Sequence, residues 1–281
     1  MTLSLDARQR ALLEHMGLRL DFLPPTTVEA DAAIEAPPPR SHAAAAARAP
    51  VSQPPSAVKP IEPKAEPAVM AERPNVTRAD WAQLQQAVSG CTACGLCKTR
   101  KQTVFGVGTP PAEGTSGAGV DLMIVGEAPG ENEDLQGEPF VGAAGQLLDQ
   151  MLTAVGLTRQ AEGGEQGKVY IANVLKCRPP GNRNPQPEEV AQCFPYLQRQ
   201  IELVRPKVLL AMGRFGAQAL LKHQQPELEG APLGKLRGQT YVHGSTPVVV
   251  TYHPAYLLRT PTDKAKAWAD LCLAQSLTTG A

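Results

Sequence analysis

Cys91 and Cys94 form a Cys-x-x-Cys pair, and Cys177 and Cys193 follow far downstream with fifteen residues between them. Four thiolates in this arrangement suit zinc or an iron–sulfur cluster. The competing reading, four unrelated buried thiols, is disfavoured by the paired spacing and by the basic, proline-rich turns beside the later cysteines. Cys97 makes CTACGLC look locally like the opening of a ferredoxin run, but no cysteine follows three residues later and no Cys-Pro occurs. Cys272, set among Leu271, Leu273 and Trp268, reads as a core thiol.

His253 stands before Pro254 at the end of an apolar run, where an imidazole is presented at a crevice; catalysis and a structural hydrogen bond are both open to it. Asn173 interrupts the apolar run VYIANVL, so its amide is either satisfied inside the fold or offers a donor and an acceptor to the edge of a base. Glu127 lies in GEAPG, whose glycines let backbone amides approach a carbonyl or an anion, although an ordinary strand-to-helix turn uses the same residues. Phe140 in GEPFVG suits core packing or stacking on a base. Leu257 and Leu258 are placed to wedge into a gap in a base stack, with Arg259 available to a phosphate; helix packing is the plainer use of the leucines. GxGxxG and Walker patterns are absent, which weighs against a dinucleotide or ATP site.

The elements that must position these residues alternate. DLMIV (121–125), VYIANVL (169–175), KVLLAM (207–212) and PVVVTY (247–252) are strand-like apolar runs. RADWAQLQQAVSG, GQLLDQMLTAVGL, PEEVAQCFPYLQRQIELV, RFGAQALLKH and DKAKAWADLCLAQSL carry apolar residues at helical spacing, with Pro195 expected to kink or divide the third of them. This alternation predicts an α/β fold, a single three-layer domain with a mostly parallel central sheet flanked by helices. GEAPGENED, KCRPPGNRNP and HPAYLLR then follow three of the strands, so the topology predicts that they converge on one crevice at the carboxyl edge.

Twelve of the 27 prolines fall between Pro24 and Pro74, and no Leu, Phe, Trp or Tyr occurs between Leu23 and Trp81. Residues 24–74 therefore read as a disordered Pro/Ala-rich linker and residues 1–23 as a short amphipathic helix, with Leu5, Ala11, Leu12, Met16 and Leu20 at roughly helical spacing. That helix either frays alone or docks on a protein partner. Residues 75–281 are long enough for one well-buried domain without disulfides, and a monomer is expected. Lys plus Arg equals Asp plus Glu at 27 each, which excludes a strongly cationic nucleic-acid coat. Lys176, Arg178 and Arg183 nonetheless stand apart from any acid and suggest a phosphate-facing patch, while Glu131, Glu133, Asp134 and Glu138 crowd another. The absence of a secretory pattern and of any long apolar run predicts a cytoplasmic protein with no membrane association, where cysteines stay reduced.

CTAC, VFGVG, LMIVGEAPGENEDLQGEPFVGAAGQLLDQML, NVLKCRPPGNRNPQPEE and HPAYLLR, taken in this order, resemble a family 4 uracil-DNA glycosylase, the iron–sulfur branch of that superfamily, over roughly residues 85–275. The resemblance implies a DNA repair enzyme that hydrolyses the N-glycosidic bond of uracil in single- or double-stranded DNA. It also implies a [4Fe-4S] cluster on Cys91, Cys94, Cys177 and Cys193, with Cys97 left out. It assigns Gly126, Glu127 and Ala128 to the first active-site motif, Phe140 to stacking on uracil, Asn173 to reading its edge, and His253 to the position near O2. GNRNPQPEE lacks the histidine with which one branch of the superfamily traps uracil covalently. The rival reading is a non-catalytic iron–sulfur nucleic-acid-binding protein on the same fold; a ferredoxin-like carrier would leave HPAYLLR and GEAPG without a use.

Overall fold

The computed structural model describes residues 74–110, 119–160, 167–222 and 224–279. The helix expected in residues 1–23, and all but the last residue of the linker expected over 24–74, lie outside the described residues. The four apolar runs become the strands β2 (Leu122–Gly126), β4 (Gly167–Asn173), β5 (Val208–Met212) and β7 (Thr246–Thr251). Every residue of β2 and β5 is buried, as befits strands covered on both faces.

These four pair in parallel in the order β4-β2-β5-β7, which brings their carboxyl ends to one edge. Three short strands extend the sheet to seven: β1 (Val107–Gly108) antiparallel to β4, β3 (Leu157–Thr158) parallel to β4, and β6 (Thr240–His243) antiparallel to β7. The sheet is thus mixed, parallel at its centre, with antiparallel β1 and β6 and the short parallel β3 at its margins.

Before the sheet comes α1 (Trp81–Ser89), whose N-cap Asp80 accepts from Gln83 N while the Gln83 side chain accepts from Asp80 N. Between strands the chain forms α2 (Glu131–Gln136), α3 (Ala143–Ala154), α4 (Pro187–Val204), α5 (Gly213–Leu221) and α6 (Leu233–Leu236), then α7 (Pro254–Arg259) and α8 (Lys264–Thr279) after β7. α4 runs undivided through Pro195, and its packing against the sheet compensates for the hydrogen bond that proline cannot donate.

On one sheet face Met123, Val125, Ala172, Leu209, Ala211, Val248 and Val250 pack on Leu197, Ile201 and Val204 of α4 and on Ala217, Leu220 and Leu221 of α5. α8 packs on β7, β5 and β2. By strand alternation it covers the opposite face, which completes the three layers. A second apolar cluster joins Leu84 and Val88 of α1 to Leu175, Cys177, Cys193 and Tyr196, so α1 covers the cysteine loops.

Candidate active site

At the carboxyl edge of the sheet a cleft of about 470 Å³ opens, walled by Glu127, Ala128, Phe140, Asn173, Asn182, Arg183, His253, Tyr256 and Arg259 among others. The three segments expected to converge therefore do so. β2 and β4 are in register with Gly126 opposite Asn173, and the ladder continues past both strands through Val174 N donating to Gly126 O and Leu175 N to Glu127 O. This puts the Glu127 turn beside the base of Asn173.

Asn173 is 2% exposed, and its Oδ1 makes no hydrogen bond among the described residues. A buried acceptor left unmatched costs about 1 to 3 kcal/mol, which marks the atom as waiting for a donor. Space for that donor is kept by Gly126. A Cβ there would fall 2.3 Å from Asn173 Oδ1 and 2.9 Å from Phe140 Cζ, so any side chain would fill the gap between the two. The glycine is needed for room, not for an unusual backbone angle.

Phe140 is held in a left-handed conformation (φ 55°), uncommon for an aromatic residue. Gly145 is what accommodates it: a Cβ at that position would overlap Phe140 O. Arg159, anchored to Asp149 at 2.6 Å, donates to Pro139 O and Phe140 O at 3.0 and 3.3 Å. The ring lies 5.3 Å from the His253 ring at an interplanar angle of 25°.

His253 caps α7. Its Nδ1 accepts from Ala255 N at 3.2 Å, which fixes the proton of the neutral ring on Nε2. Burial pulls its pKa down to about 4, so the neutral form prevails at physiological pH. Glu127 shows the opposite shift: burial without a cationic partner pushes its pKa up to about 7.

Glu133, which the sequence placed only in an acidic patch, is structural to the cleft. Its carboxylate accepts from Gly130 N at 3.0 Å and from Val141 N and Gly142 N at 3.0 and 3.3 Å, tying the Glu127 loop to the Phe140 loop. The signal was present as a glutamate three residues into a helix. Asp134 is also no surface acid; it is 2% exposed and accepts from Lys101 N.

The expected phosphate patch is corrected in part. Lys176 is 1% exposed and cannot meet DNA, because its ammonium is taken up by protein acceptors. Arg183 is forked onto Glu189 and Arg178 approaches Glu131 at 3.6 Å, whereas Arg259 is exposed on the cleft rim. Of the two wedge leucines, Leu257 is fully buried in the helix packing and only Leu258, 45% exposed, is free to leave the surface.

Cys91, Cys94, Cys177 and Cys193 wall a second, tight pocket together with Arg100 and Lys176, and Cys97 lines it too. Arg100 Nη1 donates to Cys177 Sγ at 3.2 Å and to Cys91 O at 2.8 Å, while Lys176 N donates to Cys193 Sγ at 3.2 Å. Burial pushes the free thiols of Cys177 and Cys193 up to about 11 and about 12, so an apolar pocket of this kind holds thiolates only around a cationic centre. Among the described residues no three or more His, Cys, Asp or Glu are gathered as ligands of a single metal ion. A zinc ion would draw its sulfurs to within about 2.3 Å of one point. Four thiolates converging on one pocket are a donor set that zinc and an iron–sulfur cluster both accept. Cys272 lies apart, half-buried in α8.

Comparison with known proteins places this architecture. A family model described as the uracil DNA glycosylase superfamily matches residues 113–272. The chain is 44% identical over 178 residues to a type-4 uracil-DNA glycosylase of Archaeoglobus fulgidus, covering 62% of this chain and 81% of that one. It is 41% identical over 198 residues to the type-4 enzyme of Pyrobaculum aerophilum (69% and 92%), and 37% identical over 187 residues to that of Thermotoga maritima (65% and 86%). A match spanning more than half of the chain, with relatives aligned along most of their own length, has one conclusion: this chain belongs to the uracil DNA glycosylase superfamily.

Proposed function

We propose that this protein is a DNA repair glycosylase that hydrolyses the N-glycosidic bond of uracil in DNA, releasing free uracil and leaving an abasic site. The observation that carries the reading is the unpartnered Asn173 Oδ1 above Gly126, in a cleft shared with Phe140, His253 and Glu127. Uracil must leave the stack to reach such a cleft, and a mispaired base pays least to do so. The asparagine carbonyl accepts from N3–H and its amine donates to O4, whereas cytosine presents the reverse pattern on that edge. Phe140 supplies the stacking face, and Leu258 fills the gap left in the duplex while Arg259 meets a phosphate. As the bond breaks, negative charge grows on uracil O2 and the sugar becomes cationic. His253 Nε2–H, already neutral and oriented, donates to that charge without reorganisation. Glu127, once ionised, orients the attacking water or stabilises the sugar cation.

Cys91, Cys94, Cys177 and Cys193 would hold a [4Fe-4S] cluster. Bound there, it would cross-link the loop after α1 to the loop after β4 and to α4, since hydrolysis needs no electron transfer. The glycosylase domain is proposed to span residues 75–281, acting on DNA as a monomer in the cytoplasm, with residues 1–23 left for a protein partner. Among the described residues no helix is long and apolar enough to cross a membrane. The test is release of free uracil from a single-stranded uracil-containing oligonucleotide. Binding without release would favour a non-catalytic nucleic-acid-binding protein instead.

A further inference from the structure

Lys176 is the buried charge that the chemistry above leaves unused. A buried ammonium is costly unless its protons are placed. Its Nζ donates to Asn173 O at 2.8 Å, to Gln200 Oε1 at 2.6 Å and to Phe105 O at 3.4 Å. Gln200, fully buried in α4, passes the network on by donating to Phe105 O at 2.9 Å and Tyr170 Oη at 3.1 Å. At its other end the same lysine belongs to the cysteine pocket, where its backbone N–H donates to Cys193 Sγ and its neighbour in the chain is Cys177.

Asn173 closes β4, and the ladder to Gly126 fixes its backbone on the β2 side. On the α4 side its carbonyl is gripped by Lys176. The amide that points over Gly126 is therefore aimed by a backbone held from both sides, one of them rooted among the cysteines.

We infer that Lys176 is a positioning residue for base recognition, locking the Asn173 backbone to the cysteine pocket and so setting the aim of the amide that reads the base. This deepens the function proposed above and rests on the uracil-reading role of Asn173. Methionine at position 176 would keep most of the packing volume but remove the ammonium donor from Asn173 O and Gln200 Oε1, while Phe105 O would keep Gln200 Nε2, so the Asn173 backbone would tilt. Because a misplacement of about 1 Å in a positioned group can cost about a hundredfold in rate, a partial tilt is expected to cost about tenfold.

The experiment compares wild type, Lys176→Met and Gln200→Leu as purified iron-loaded proteins by three readouts. These are iron per chain with visible absorbance, the single-turnover rate at saturating uracil-DNA, and inhibition by free uracil. Both variants are expected to keep their iron, to cleave about tenfold more slowly, and to need about tenfold more uracil for inhibition. A merely structural role would lower the amplitude of the single turnover and the melting temperature, and leave the rate and the inhibition constant of the folded fraction unchanged. Should Lys176→Met lose iron, Gln200→Leu carries the test, since Gln200 lies about two helical turns from Cys193. Wild-type rate and inhibition in an iron-replete variant would overturn the inference, as would a rate loss that tracks iron loss in both. Failure of the wild-type control to release uracil would instead overturn the functional reading itself.

Discussion

His253 and Glu127 sit in one cleft, and burial moves them in opposite directions, His253 to about 4 and Glu127 to about 7, so each is kept neutral longer than in water. For His253 this is the useful state, because Nε2–H meets charge that grows only in the transition state. His253→Ala is expected to lower the single-turnover rate about a hundredfold, the loss of about 3 kcal/mol typical of one preorganised donor, while changing affinity for abasic DNA little. For Glu127 the shift sets a pH dependence. If the carboxylate is the working form, the single-turnover rate rises as pH passes through about 7 and then levels off, and Glu127→Gln removes the inflection. Stability moves the other way. A folded-state pKa raised above 4.5 means that the folded protein holds the proton more tightly, and the stabilisation present below that value is lost as pH rises through about 7. Glu127→Gln should therefore melt higher than wild type at pH 8, and an unchanged melting temperature would show that the carboxylate is solvated.

The four central strands were legible in the sequence because each is a continuous apolar run, and their chemistry-bearing extensions were legible because a parallel sheet sends carboxyl ends to one edge. β1 and β3, two residues each, carry no periodicity, and β6 alternates over only four residues, so these marginal strands were not read. In the site, Gly126, Glu127, Ala128, Phe140, Asn173 and His253 were anticipated and line or floor one cleft. Glu133, Arg159 and Lys176 were missed as braces because their partners come from other segments of the chain. Leu257 was misread as a wedge because the short α7 buries it while exposing its neighbour. The cysteine loops give the prediction at this scale. Cys177→Ala should bleach the brown colour of an iron–sulfur protein and lower the melting temperature, whereas Cys97→Ala, on the same pocket wall, should keep both. Stoichiometric zinc without iron after anaerobic purification would contradict the cluster.

At the scale of the whole molecule, the core is already joined near the start of the described residues: Val76 and Leu84 pack into the cluster around Cys177 and Cys193. Deleting residues 1–74 is expected to leave uracil release nearly unchanged, as judged by the single-turnover rate of soluble truncated protein; loss of soluble protein or of turnover would refute this. The central claim is that a single asparagine in this fold selects uracil for excision. It is tested most directly by single-turnover release of free base from uracil-containing single-stranded DNA, with wild type and Asn173→Asp side by side. Wild type is expected to release uracil, and Asn173→Asp to do so at least about a hundredfold more slowly, with the cluster spectrum and melting temperature retained. A carboxylate accepts from the cytosine N4 amine but cannot donate to uracil O4. Uracil release by Asn173→Asp at the wild-type rate, or none by wild type, would contradict it.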